Sequence, residues 1–365
     1  MLTKGDDFPI HQTPEPIAFS GSDRNFYDRY FFNGMLPDGS GFFAAALGVY
    51  PHLNIADAHV SALRDGVQHA LHASRILEME RMNLSVGPIA IEVIEPLRKL
   101  RLKVDGEGMK ADLVMEGRSF PMQEPRFTRR NGPRMFMDVT RFTQGVRWSG
   151  WLEIDGKRID YKNAPGVRDR SWGVRPIGAG DQQPTVPAAA TQFYWLWAPT
   201  AFPTRSFYAH VNEDAAGEPW NRAAVLTPDG VGAGGEIHLA DPKFTLQWKQ
   251  GRRHAQAMSL EAKDKVGKPI RVAWTPIETF QMKGIGYSHP EWGHGRFKGP
   301  LAVEREAFKP ADLNPMEPAN LHIQEIARAR IETEAGAEEG VGSFEQLVIG
   351  PHAPSGFKGI LDGAA

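Results

Sequence analysis

Two short stretches hold most of the side chains that could move protons. The first runs Gly166-Val-Arg-Asp-Arg-Ser-Trp-Gly-Val-Arg175. It sets Asp169 between Arg168 and Arg170, with Ser171, Trp172 and Arg175 close by. If Asp169 faces an apolar cavity, burial raises its carboxyl pKa and makes it a general acid. The other reading is a partly buried ionic network in which Asp169, Arg141 and Arg175 fix one part of the fold against another. The second stretch is Gly286-Tyr-Ser-His-Pro-Glu-Trp-Gly-His-Gly-Arg296. Its Tyr287, His289, Glu291 and His294 are acid–base types suited to neutral pH. His289, Glu291 and His294 are also metal-ligand types, but Pro290 and the surrounding glycines fix no common face, so no metal is expected. Either one histidine lines a pocket, or both are satisfied structural residues in a Gly-rich turn.

Such groups need elements to hold them, and the composition favours strands. The 38 glycines and 28 prolines among 365 residues exceed the roughly 12% of average usage. With 20 Phe, 9 Trp and 7 Tyr, this implies many short strands joined by turns. Zero cysteines exclude disulfides, thiolate nucleophiles and Cys-bound metals. A formal charge of −2 argues against nucleic acid or an anionic membrane as partner. No stretch reaches the roughly 18 apolar residues of a membrane span. Met1–Phe8 lacks the apolar run of a signal peptide, so the expected location is cytoplasmic. Nucleotide and hydrolase signatures are missing: there is no Gly-x-Gly-x-x-Gly, Walker-type, Gly-x-Ser-x-Gly or His-Glu-x-x-His motif.

Turn signals recur at strand-like spacing. Asp155-Gly156, between Trp148–Ile154 and Lys157–Tyr161, predicts a type I′ hairpin. Strands are further expected over Ile89–Ile94, Arg98–Val104, Phe207–Val211, Phe244–Trp248, Ala255–Ala262 and Ile270–Trp274. Ala56–Met82 fits helical spacing as well as period two, but Asp65-Gly66 in its middle favours a hairpin. In that case His69 and His72 point to opposite faces and make no ligand set. Arg126, Arg129, Arg130 and Arg134 read as a solvated loop. Gln192-Phe-Tyr-Trp-Leu-Trp197 is an aromatic strand that either packs a core or lines a cavity. Ser171-Trp-Gly173 and Glu291-Trp-Gly293 faintly echo one another, as two related barrels would. The expected division is an N-terminal extension (1–23), a first barrel (24–177), a linker or long loop (178–190), a second barrel (191–350) and a loose tail (351–365).

Together the motifs resemble a known group. Asp138-x-x-Arg141-Phe-x-Gln144, Trp148-x-Gly150, the Asp155-Gly156 hairpin and Arg168-Asp-x-Ser-Trp-Gly-x-Arg175 look like the two-domain lipocalin-like superfamily. It groups carotenoid 1,2-hydratases, AttH-like proteins and fungal lipocalin-like cyclases. Tyr287-x-His-Pro-x-Trp-Gly-His-Gly295 resembles a bacterial branch of it. The resemblance covers residues 24 to 310. It implies an all-β fold of two consecutive antiparallel lipocalin-like barrels and cofactor-free chemistry on apolar molecules. Asp169 corresponds to the acidic residue of the Asp-x-x-Trp-Gly pattern; Arg170 stands where relatives often carry His. The resemblance equally implies an alternative role, in which the acidic motif holds the domains together rather than acting on substrate, with Asp138, Arg141 and Gln144 as a structural network.

The expected function is then hydration, dehydration, isomerisation or cyclisation of an isoprenoid, polyketide-like or aromatic molecule. Asp169 would donate the proton, His294 or His289 would act as base, and Tyr287 would hydrogen-bond the substrate. Trp172, Arg175, Trp292, Tyr194 and Trp195 would line it, with Trp172 steadying cationic charge. The rival is a non-catalytic carrier for a lipophilic ligand. The sequence leaves open whether the chain forms a homo-oligomer.

Overall fold

A computed structural model describes residues 2–11, 16–180, 186 and 191–365. Most of the expected linker therefore lies outside the described residues. The chain forms two compact units of antiparallel strands and short 3-10 turns, and no α-helix occurs among the described residues. Unit 1 comprises Met1–Leu36, Gly41–Ala189 and Lys283–Phe308; unit 2 comprises Pro37–Ser40, Ala190–Met282 and Lys309–Ala365. No helix among the described residues is long and apolar enough to cross a membrane.

In unit 1, β1 (Phe26–Gly34), β2 (Phe43–Tyr50), β3 (Ile55–Arg64) and β4 (Val67–Ile76) form a meander. Asp65 and Gly66 both take positive φ, so the segment that was ambiguous between helix and hairpin is a two-residue hairpin. β1 pairs with Lys157–Val174, which pairs with Arg134–Ile154 across the Asp155-Gly156 turn. The sheet continues through Met109–Gly117, Lys99–Gly106 and Ile89–Glu95. Its ends nearly meet: a Cβ on Gly87, in the turn between Ser85–Val86 and Ile89–Glu95, would lie 3.0 Å from Val303 and 3.6 Å from Ala73. The interior of this nearly closed barrel is filled by Tyr30, Phe32, Leu47, Val60, Leu71, Leu113, Trp148 and their neighbours. Burying each large apolar side chain contributes about 1.5–3 kcal/mol.

One expectation fails here. The sequence division puts the stretch 283–308 in the second barrel, yet Leu301–Phe308 pairs with β4 along its full length. Without it β4 would be an open edge, which folds avoid; alternation within Leu301–Phe308 cannot reveal which edge it covers. Both Trp-Gly echoes consequently lie in unit 1, one in a strand and one in a turn, and they do not mark a repeat. The barrels are consecutive only apart from this returning segment and from Pro37–Ser40.

Unit 2 forms a ring-like sheet in the order 237–238, 219–228, 205–213, 193–197, 336–349, 323–333, 269–281, 255–263, 240–248. Leu239 N–H donates to Ala224 O where the ends approach. Leu196, Phe207, Leu226, Leu260, Trp274, Ile331 and Phe344 fill its core. The tail expected to be loose is tied down: Arg253 donates to the carbonyls of Gly350, Gly359 and Asp362 and to the Asp362 carboxylate.

Candidate functional site

Alternation along the strands of unit 1 sorts the first cluster onto two faces. Arg168, Arg170 and Trp172 share the face of Asp28, Tyr30 and Phe32, whereas Asp169 and Ser171 share that of Arg29 and Phe31. Trp172 is therefore not beside Asp169. Its ring stacks on His11 at 3.6 Å, and His11 Nδ1 lies 2.8 Å from Asp28. Arg168 pairs with Asp7 at 2.5 Å and Arg170 pairs with Asp28, all four buried. The N-terminal segment is thus part of the barrel end rather than an extension.

Asp138, Arg141 and Gln144 each hold a different partner. Asp138 takes Arg126 at 2.6 and 2.7 Å, and Arg141 takes Glu124. Gln144 donates to the carbonyls of Leu97 and Ser119 and accepts from Arg168 at 2.7 Å. Arg175 does not join Asp169 and Arg141. Its guanidinium lies 4.4 Å from the Tyr27 ring centre, hydrogen-bonds Tyr287, and keeps Nε and Nη2 buried without a partner.

The Asp169 face carries a polar group that the sequence reading missed. His59 of β3 stands directly opposite His72 of β4, and their Nδ1 atoms are 2.8 Å apart. His72 Nε2 lies 3.2 Å from Glu306. Burial pushes the His72 imidazole down to about 4. Glu306 is held at about 2, because hydrogen bonds from His289 and His72 outweigh its burial. These directions fix the protons. Ionised Glu306 only accepts, so His72 Nε2 carries hydrogen and its Nδ1 accepts from His59 Nδ1–H. His59 Nε2 is left bare, buried and without a hydrogen-bond partner, with Asp57 Oδ1 at 3.7 Å. Tyr50 O–H and Gly295 N–H donate to Asp57 at 3.1 and 2.7 Å.

The second cluster covers this face, as an irregular loop within unit 1. His294 is fully engaged: Nε2–H donates to Ile285 O at 2.9 Å and Nδ1 accepts from Arg29 at 3.3 Å. Burial, then the Arg29 charge, lowers its pKa well below that of a free imidazole. His289 Nδ1 accepts the backbone N–H groups of Glu291 and Trp292, and its Nε2 faces Glu306 at 3.5 Å. The two expected bases are therefore both occupied, as holders of the loop. Tyr287 packs edge-on against His294, and Trp292 lies parallel to His72 while donating to Glu304. Gly286, at φ +88, makes the approach possible: a Cβ there would meet His294 at 2.7 Å and His59 Nε2 at 2.8 Å.

Glu291 is exposed and pairs with Lys298, so His289, Glu291 and His294 do not converge. A different trio, His72, His289 and Glu306, does bring ligand atoms within 4.8 Å. A metal there needs a lone pair on His289 Nε2, but that nitrogen carries the proton because Nδ1 accepts two backbone N–H groups. The trio fits a carboxylate receiving two N–H donors. His59 and Asp169 lie in one cross-strand row, separated by Ala46 and Phe31, which sets them roughly 14 Å apart at strand spacing.

Tyr194 and Trp195 belong to unit 2 and point to opposite faces of Phe193–Trp197. Trp195 donates to buried Glu345, which also takes His322 and Gln324. Tyr194 lines an open cleft of 440 Å³.

A signal for the missed pair was in the sequence. A two-residue Asp65-Gly66 turn sets every pair of positions summing to 131 face to face, His59 and His72 included. Nothing comparable pointed to Glu306, which comes from a distant strand.

The fold is similar to that of kievitone hydratase from Nectria haematococca, at 12% identity and a TM-score of 0.50, covering 93% of this chain and 97% of that one. It is also similar to a putative AttH from Nitrosomonas europaea, at 12% identity and a TM-score of 0.54, covering 93% and 98%. These likenesses show the two-domain lipocalin-like fold that the motifs suggested. No curated protein matches the sequence. Residues 2–358 match the profile of DUF8625, a family of unknown function, and the chain belongs to that family.

Proposed function

We propose that the protein is an enzyme that adds water to, or removes it from, an apolar small molecule, using the buried relay of unit 1. The observation that carries the reading is the bare Nε2 of His59. Leaving a buried ring nitrogen unpaired costs about 1–3 kcal/mol, and such groups collect at sites of chemistry. Here the relay gives it a use. A proton taken by His59 Nε2 places positive charge between Asp57 and the His72–Glu306 arm, both of which stabilise it. The free Nε and Nη2 of Arg175 would meet negative charge developing on the substrate. Similarity in fold to an enzyme named a hydratase supports the direction of the reading. A carrier that encloses its ligand in the first barrel is disfavoured, because apolar side chains fill that interior.

The test is turnover. Apolar alkenes and phenols, kievitone among them, are incubated with the protein in ¹⁸O-water, and products are read by mass spectrometry for one labelled water. His59→Gln should lower the rate by about 10²–10⁴-fold. Asp169→Asn tests the original assignment of the acid. An equal rate in His59→Gln and wild type would discard the relay as the site. Native mass spectrometry of protein purified from its own cells supplies the substrate class.

A further inference from the structure

A second set of acid–base and nucleophilic groups lies in unit 2, apart from the relay. Glu213 ends the strand Arg205–Glu213, and His352 precedes the 3-10 turn Ala353–Ser355. The His352 ring is buried and stacks on Tyr194 at 4.1 Å. Its Nε2 lies 2.8 Å from Glu213 Oε2, and its Nδ1 lies 2.8 Å from Ser355 Oγ. A carboxylate on Nε2 places the hydrogen there and leaves the Nδ1 lone pair facing the serine hydroxyl.

The turn that presents Ser355 is fixed from both sides. His352 and Phe357 exchange backbone hydrogen bonds, and Ala353 N–H donates to Ala215 O at 2.8 Å. Tyr194, Glu213, His352 and Ser355 all line the 440 Å³ cleft. Phe244, Leu246 and Trp248 give it an apolar wall, and Arg222 and Lys243 bring positive charge. The cleft thus offers an activated hydroxyl, a place for a hydrocarbon chain and cations for an oxyanion. That combination suits acyl transfer.

We propose that Ser355, His352 and Glu213 form a nucleophile–base–carboxylate triad that hydrolyses carboxylic esters with an apolar acyl group. Ser355 Oγ bonds to the carbonyl carbon as its proton passes to His352 Nδ1. The ester C–O bond breaks, and the leaving alkoxide takes that proton from His352. Water then attacks the acyl-serine, again giving its proton to His352, and Ser355 leaves with that proton as the acid is released. Glu213 holds the imidazole in the required tautomer and offsets its transient charge, as a positioning residue.

The experiment treats the full chain with an alkyl fluorophosphonate and maps the adduct by peptide mass spectrometry, in parallel with hydrolysis of p-nitrophenyl butyrate. A single adduct on Ser355 is expected, absent in Ser355→Ala, with ester hydrolysis reduced about a hundredfold. Glu213→Gln, which keeps the shape of the side chain, should slow labelling at least tenfold and shift its pH profile. A folded wild-type protein with no adduct on Ser355, or ester hydrolysis equal in Ser355→Ala and wild type, would overturn the proposal.

Discussion

The two units solve one folding problem with one architecture and end with different surfaces. In each, a ring of antiparallel strands encloses an apolar core, and polar side chains collect outside it or at its ends. In unit 1 the loop 286–296 packs over those groups, and an ionic plug of Asp7, Asp28, Arg168 and Arg170 closes one barrel end. In unit 2 a comparable set, Glu213, His352 and Ser355, borders an open cleft. The difference teaches that the partners on the two ring nitrogens, more than residue type or burial, decide what a histidine can do. His72 is neutral at physiological pH, with both ring nitrogens taken by His59 and Glu306. His352, equally buried, reaches a solvent-facing serine.

The largest expected effect tests the plug. Arg168→Met strands the Asp7 carboxylate and should cost about 3–5 kcal/mol in urea unfolding. Arg205→Met, which breaks the half-buried pair with Glu338 in unit 2, should cost no more than about 1 kcal/mol. Equal losses would erase the contrast between the units.

Acidification comes next. His72 in unit 1 and His254 in unit 2 both have folded pKa values near 4 against 6.5 when free, chiefly through burial. The unfolded chain binds the extra protons between those values, so stability should fall as pH drops from 6.5 to about 4. For His72 alone the loss is about 3 kcal/mol, and His72→Gln should flatten that part of the profile. Glu306 adds a second window with the same sign, its share being lost from pH 4.5 to about 2.

Gly286→Ala should cost about 1–3 kcal/mol through positive φ and contact with His59 and His294. Gly230→Ala, also at positive φ but facing open space, should cost less. Backbone hydrogen exchange across β3 and β4 would show whether the first change loosens the covering loop. Arg330→Ala, on the exposed surface of unit 2, should leave the melting temperature unchanged within error.

Much of the architecture was legible along the chain. Asp155-Gly156 and Asp65-Gly66 fixed two hairpins, because positive φ at both positions is cheap only for a few residue types. Alternating runs marked the strands, and the motif set pointed to the right fold. The site was read less well. His289 and His294 drew attention by type and spacing, but the loop spends their nitrogens on holding itself down. His59 and His72, which look unremarkable one at a time, meet only through hairpin register. Ser355 and Glu213 gave no signal, since the strand and turn that bring them together are far apart in sequence.

Local chemistry therefore settled what the sequence could settle: strands, turns, absence of thiol chemistry and membership of an all-β fold. These follow from period-two patterning and backbone sterics over a few residues. The tertiary structure alone decided that Leu301–Phe308 returns to β4, which carboxylate completes the histidine relay, and which serine finds a base. Such choices depend on long-range strand pairing, where a one-residue change of register turns every side chain to the other face.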